Sequence, residues 1–78
     1  MSFIPKVLII AGSDSGGGAG IQADIKTTSY FNGYAMTAIT AITAQNTIGV
    51  QSIYPLPKEI VMEQINSITS DLSPDIVK

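Results

Sequence analysis

The first apolar run of the chain, Val7-Leu8-Ile9-Ile10-Ala11, is cut off by Gly12. Apolar at every position and partly β-branched, it predicts a strand buried on both faces, as in a parallel sheet. After a small and polar segment the period changes. Ile21, Ile25 and Thr28 fall on one helical stripe, Tyr30 and Phe31 follow, and Asn32-Gly33 supplies a C-terminal stop. Tyr34 to Ile42 predicts a second strand, with Thr37, Ile39 and Ala41 on one face and Met36, Ala38, Thr40 and Ile42 on the other. Neither face is strongly polar, so this strand too is expected to be buried. A short polar run, Thr43-Ala44-Gln45-Asn46-Thr47, stands at its carboxyl end and is closed by Ile48-Gly49. Val50 to Leu56 predicts a third, weaker strand, and Pro55 and Pro57 suit an edge position or an exit into a loop. From Pro57 the helical period returns in Ile60, Val61, Gln64, Ile65 and Ile68, with Glu59 near the positive N-terminal end. Leu72-Ser73-Pro74 ends that helix, and Asp75-Ile76-Val77-Lys78 begins what reads as a further strand, stopping in mid-element. The order β-α-β-β-α-β predicts an α/β sheet with right-handed crossovers and helices on its faces.

Composition narrows the chemistry. Seventy-eight residues allow one small domain at most. There is no cysteine and no histidine, which removes disulfides, thiolate metal sites, the commonest metal ligand and the usual general base. Carboxylates, hydroxyls, amides and backbone remain, and no metal-ligand set is expected. Only 13% of residues are charged, against about 25% in an ordinary domain, and none lies between Thr27 and Pro57. Residues 1–78 are therefore expected to form a single incomplete domain, with further chain or a partner subunit covering its middle. The net charge of −2 and the lack of a basic cluster argue against nucleic acid or a membrane surface. Val7 to Ala11 is too short for the apolar core of a signal peptide, and no run suits a membrane helix, so the cytoplasm is expected.

The segment "AGSDSGGGAGIQAD", Ala11 to Asp24, carries the candidate site. In an open α/β sheet, ligands bind beyond the carboxyl ends of the strands, and both this segment and the Thr43 to Thr47 run stand at such ends. Spacing rejects several nucleotide and nucleophile motifs. No lysine follows the glycines as a P-loop requires, Ile21 stands where a dinucleotide fingerprint needs its third glycine, and Asp14 stands where a nucleophile elbow needs serine. A close-approach loop fits better. Without Cβ atoms at Gly16, Gly17, Gly18 and Gly20, and with only a methyl at Ala19, backbone can lie against a flat ring or an anionic group, with amides at the helix N-terminus free to donate. Asp24, one turn into the helix, suits either a ligand role or a first-turn interaction with the helix dipole. Gln45 is by itself a loop amide that can meet either ligand or water.

The runs "AGSDSGGGAGIQADIKT" and "GYAMTAITAITAQNTIGVQSIYPLP" resemble the N-terminal part of bacterial hydroxymethylpyrimidine/phosphomethylpyrimidine kinases, ribokinase-family enzymes of thiamine biosynthesis. The resemblance spans about Val7 to Lys78. Some bacterial pyridoxal kinases share the glycine loop, while "TAQNT" favours the pyrimidine enzymes; a pyridoxal/pyridoxine kinase and a non-catalytic pyrimidine-binding fragment are the alternatives. The fold implied is the N-terminal β-α-β-β-α-β portion of a ribokinase-like three-layer α/β/α sandwich. The activity implied is transfer of the γ-phosphoryl of ATP to 4-amino-5-hydroxymethyl-2-methylpyrimidine and then to its monophosphate. By the same resemblance Gln45 binds the aminopyrimidine edge, Ala19, Gly18 and Gly20 pack on the ring, Thr43 offers backbone groups, and Asp24 sits near the hydroxymethyl arm.

The resemblance also implies ATP and Mg2+ for the full-length enzyme, held beyond Lys78 together with a Gly-Thr-Gly-Cys anion hole, and a homodimer for which Tyr34 to Tyr54 is a plausible surface. Phosphoryl transfer depends on positioning and charge stabilisation. No catalytic residue is expected within these 78 residues, which alone are expected to bind no ATP and catalyse nothing.

Overall fold

The computed structural model describes residues 3–78. Its elements are β1 (Lys6–Ala11), α1 (Gly20–Tyr30), β2 (Tyr34–Ile39), β3 (Ala41–Gln45), β4 (Val50–Pro55), α2 (Lys58–Thr69) and β5 (Ile76–Val77). Strands β2, β1 and β5 form a parallel sheet in that order, with β1 in the centre. Its register pairs Leu8 with Met36, Ile10 with Ala38 and Leu8 with Val77.

The apolar run of β1 is explained by this central place. Leu8 and Ile9 point to opposite faces of a strand, yet they are only 2% and 0% exposed. Both faces of β1 are therefore covered, and Ile21, Met36 and Ala38 complete the buried core. Helix α1 packs on β1 and β2, and α2 packs on β2. The Asn32-Gly33 stop works as its sequence suggests: Asn32 takes the left-handed conformation (φ 62°), and the Gly33 amide returns to the Thr28 carbonyl at 2.8 Å.

The run Tyr34 to Ile42 is two strands and not one, so the order is β-α-β-β-β-α-β. It contains no glycine or proline; the break is imposed by the loss of a partner. β1 ends at Ala11, opposite Ile39. The Thr40 amide donates to the Ala11 carbonyl and its own carbonyl accepts from Leu56, so the chain turns out of the sheet. From Ala41 it pairs antiparallel with β4 in a separate two-stranded sheet, with a bulge between Ala44 and Gln45. Thr43 to Gln45, expected as a polar loop, thus belongs to a strand, and β4 lies outside the main sheet. The expected burial of the Tyr34 to Ile42 run also fails at Ile42, which is exposed, and Val50, Ile53 and Tyr54 on β4 are exposed too.

Among the described residues no helix is long and apolar enough to cross a membrane.

Candidate functional site

The site is built where β1 and β3 end. Gly12 leads the chain out of β1 into the glycine loop, and two serines fasten that loop to β3. The Ser13 hydroxyl accepts from the Thr43 amide at 3.0 Å, while the Thr43 hydroxyl donates to the Ser13 carbonyl at 2.7 Å. Two residues further, the Ser15 hydroxyl donates to the Gln45 carbonyl and accepts from its amide, both at 2.7 Å. This alternation extends the period of a strand pair through side chains, and it presses the loop closely against β3. A Cβ on Gly16 would lie 3.1 Å from both the Asn46 Cα and the Gln45 carbonyl oxygen.

Asp14 organises the loop from inside. It is 5% exposed. Its Oδ1 accepts from the Gly16 amide at 2.8 Å, and its Oδ2 accepts from the amides of Gly18 at 3.0 Å and Ala19 at 2.8 Å. The Gly17 amide donates to the Asp14 carbonyl, and the Ile21 amide to the Gly12 carbonyl. The Asp14 amide is taken by Gln22 Oε1 at 2.7 Å, and Lys26 Nζ donates to the Gly17 carbonyl at 2.8 Å. The expectation of amides free to donate is corrected for the glycine loop and for Ile21. The amides of Gly16, Gly17, Gly18, Ala19 and Ile21 are bonded within the protein, so the loop offers a surface low in side chains instead of a row of donors.

Between loop and hairpin lies a cavity of about 320 Å³ lined by Asp14, Gly16, Gly18, Ala19, Gln45, Asn46 and Thr47. Of the residues singled out from sequence, Gly18, Ala19 and Gln45 meet at this cavity. Gly20, Thr43 and Asp24 do not line it. Gly20 is the hinge into α1: its φ is +56°, and a Cβ there would stand 2.5 Å from the Gly12 carbonyl oxygen. The Thr43 hydroxyl donates to Gln45 Oε1 at 3.3 Å. Asp24 forms an ion pair with Lys78. A larger concavity of about 740 Å³ lies at the amino ends of β1 and β2, lined by Phe3, Ile4, Phe31 and Tyr34 among others. It has no charged side chain and sits at the opposite end from the polar groups above, so it is not the candidate site.

A family model described as phosphomethylpyrimidine kinase matches residues 14–78. The chain belongs to the phosphomethylpyrimidine kinase family. It is 59% identical over 75 residues to the hydroxymethylpyrimidine/phosphomethylpyrimidine kinase of Bacillus subtilis, covering 96% of this chain and 28% of that protein. The phosphomethylpyrimidine kinase of Clostridium difficile superposes with a TM-score of 0.87 at 52% identity, covering 96% of this chain and 32% of that one. The pyridoxal kinase of Staphylococcus aureus, solved with AMP-PCP and pyridoxal, gives 0.85 at 38% identity, covering 97% and 28%. The chain thus spans roughly a quarter to a third of these relatives. The fold is the α/β fold of ribokinase-like kinases.

The kinase family implies ATP and Mg2+, but the described residues do not fit them. No three Asp, Glu, His or Cys side chains gather to hold a metal ion among these residues, and the loop amides that could cradle phosphate are already bonded. Asp14, Ser13 and Ser15 were not legible as site residues in the sequence. An Asp followed two residues later by Gly is a local turn signal, and it was the available clue to the Asp14 bond with Gly16.

Proposed function

We propose that residues 1–78 form the ring-binding part of one kinase domain that phosphorylates 4-amino-5-hydroxymethyl-2-methylpyrimidine and then its monophosphate, as in thiamine biosynthesis. The observation that carries this reading is that Gly18, Ala19 and Gln45 line one cavity. A flat heteroaromatic ring fits a floor without bulky side chains. A primary amide both donates and accepts, which matches an aminopyrimidine edge with its exocyclic amine and ring nitrogen. Thr43 and Gly20 act by fixing Gln45 and the loop, and Asp24 stands one helical turn from Gly20, towards the hydroxymethyl arm.

ATP and Mg2+ supply the transferable phosphoryl group and its charge neutralisation, and further parts of the complete protein hold them. The protein acts in the cytoplasm, without nucleic acid or membrane as a partner. Its homodimer uses the hairpin, where Ile42 and Tyr54 are directly paired and exposed. The similarity to a pyridoxal-bound kinase supports pyridoxal as a second substrate of the same cavity.

Gln45→Ala in the complete protein tests this reading. Loss of a buried amide pair is expected to weaken pyrimidine binding by roughly 1–3 kcal/mol, measured by calorimetry. Unchanged affinity would remove Gln45 from the site.

A further inference from the structure

We propose that Asp14 is the specificity-determining residue of this cavity: by holding the amides of Gly16, Gly18 and Ala19 on its own carboxylate, it keeps the loop a neutral platform and bars anions from the glycine loop that leads into α1. The start of a helix next to a glycine-rich loop ordinarily attracts phosphate, because its amides point outward and the dipole favours negative charge. Here that place is taken. Both Asp14 oxygens are engaged, at 2.8 to 3.0 Å, and the side chain is 5% exposed. The adjoining amides of Gly17 and Ile21 are bonded to backbone carbonyls. Lys26, the cation touching the loop, is held on the Gly17 carbonyl.

Two consequences follow for the ligand. An incoming anion finds the amides of Gly16, Gly17, Gly18 and Ala19 satisfied and meets a carboxylate of like charge, whereas an uncharged ring meets only backbone and the Ala19 methyl. A phosphate carried by the substrate must therefore point away from this loop, towards groups outside residues 14–19. The second consequence rests on the ring-binding reading above; the exclusion of anions does not.

Asp14→Asn in the complete protein is the direct test, because asparagine keeps the shape but turns one oxygen into a donor. With Oδ1 kept towards Gly16, its amide nitrogen faces the amides of Gly18 and Ala19, donor against donor. KM for the neutral hydroxymethylpyrimidine is expected to rise about tenfold, equivalent to some 1.4 kcal/mol, with kcat nearly unchanged. A variant that loses thermal stability but keeps its KM would reduce Asp14 to a structural residue and overturn the proposal. The second measurement needs no variant. Millimolar inorganic phosphate is titrated into the 15N-labelled wild-type protein, and the amide signals of Gly16, Gly18 and Ala19 are expected to stay in place. Their saturable movement overturns the exclusion, even if Asp14→Asn fails to fold. Should the wild type neither bind nor phosphorylate the pyrimidine, the ring-binding reading fails, while the phosphate titration still decides the exclusion on its own.

Discussion

Gly20 shows how a single residue fixes the site. It sits at +56° in φ, with the Gly12 carbonyl oxygen where a Cβ would go. Alanine at this position must strain the backbone and push the loop off β1, and both effects oppose folding. Gly20→Ala in the complete protein is expected to cost at least about 1–3 kcal/mol, read from the denaturant midpoint at constant slope. A midpoint equal to wild type would show that the close approach is not maintained in solution. The need for glycine was legible in the sequence, because a dense cluster of them at a strand end has few other uses. The work of Asp14 was not, since its bonds to amides two, four and five residues ahead exist only once the loop has closed around it. Gln45 and Ala19 were placed by the family resemblance, and their residue types alone left their roles open.

At the scale of elements, the patterns were read well where local periodicity and burial agree. The β1 run, the α1 stripe with its Asn32-Gly33 stop, and the start of β5 lie where the sequence put them. The division between β2 and β3 was invisible because it depends on where a neighbouring strand ends. Gln64 shows the same limit. In the sequence it is one position of an apolar helical stripe; in the fold its amide closes the end of β2. Its Oε1 accepts from the Ile39 amide and its Nε2 donates to the Ile39 carbonyl, both at 2.9 Å. It thereby replaces the missing strand neighbour at the point where the chain leaves the sheet, and ties α2 to β2. Gln64→Leu keeps the bulk but orphans both Ile39 groups, with an expected loss of about 1–3 kcal/mol in chemical denaturation. A variant as stable as wild type would mean that water replaces the amide at no cost.

For the whole molecule, the low charge noted in the sequence has a structural counterpart. The charge-free stretch between Thr27 and Pro57 contains the β3-β4 hairpin, and Ile42, Ile53 and Tyr54 on it are exposed, as are Ile76 and Val77 on β5. Apolar surface of this kind is where the further chain or partner subunit proposed above would pack. This agrees with a chain spanning 28% of its Bacillus subtilis relative. This suits the division of labour proposed above, in which these residues hold and orient a ring and other parts of the protein bring the phosphoryl donor to it. The most direct measurement is to incubate the complete protein with ATP, Mg2+ and 4-amino-5-hydroxymethyl-2-methylpyrimidine and follow the pyrimidine by mass spectrometry. The account predicts ATP-dependent gain of one phosphoryl group and then a second. A pyrimidine left unmodified while pyridoxal is phosphorylated, or while neither ring reacts, would contradict it.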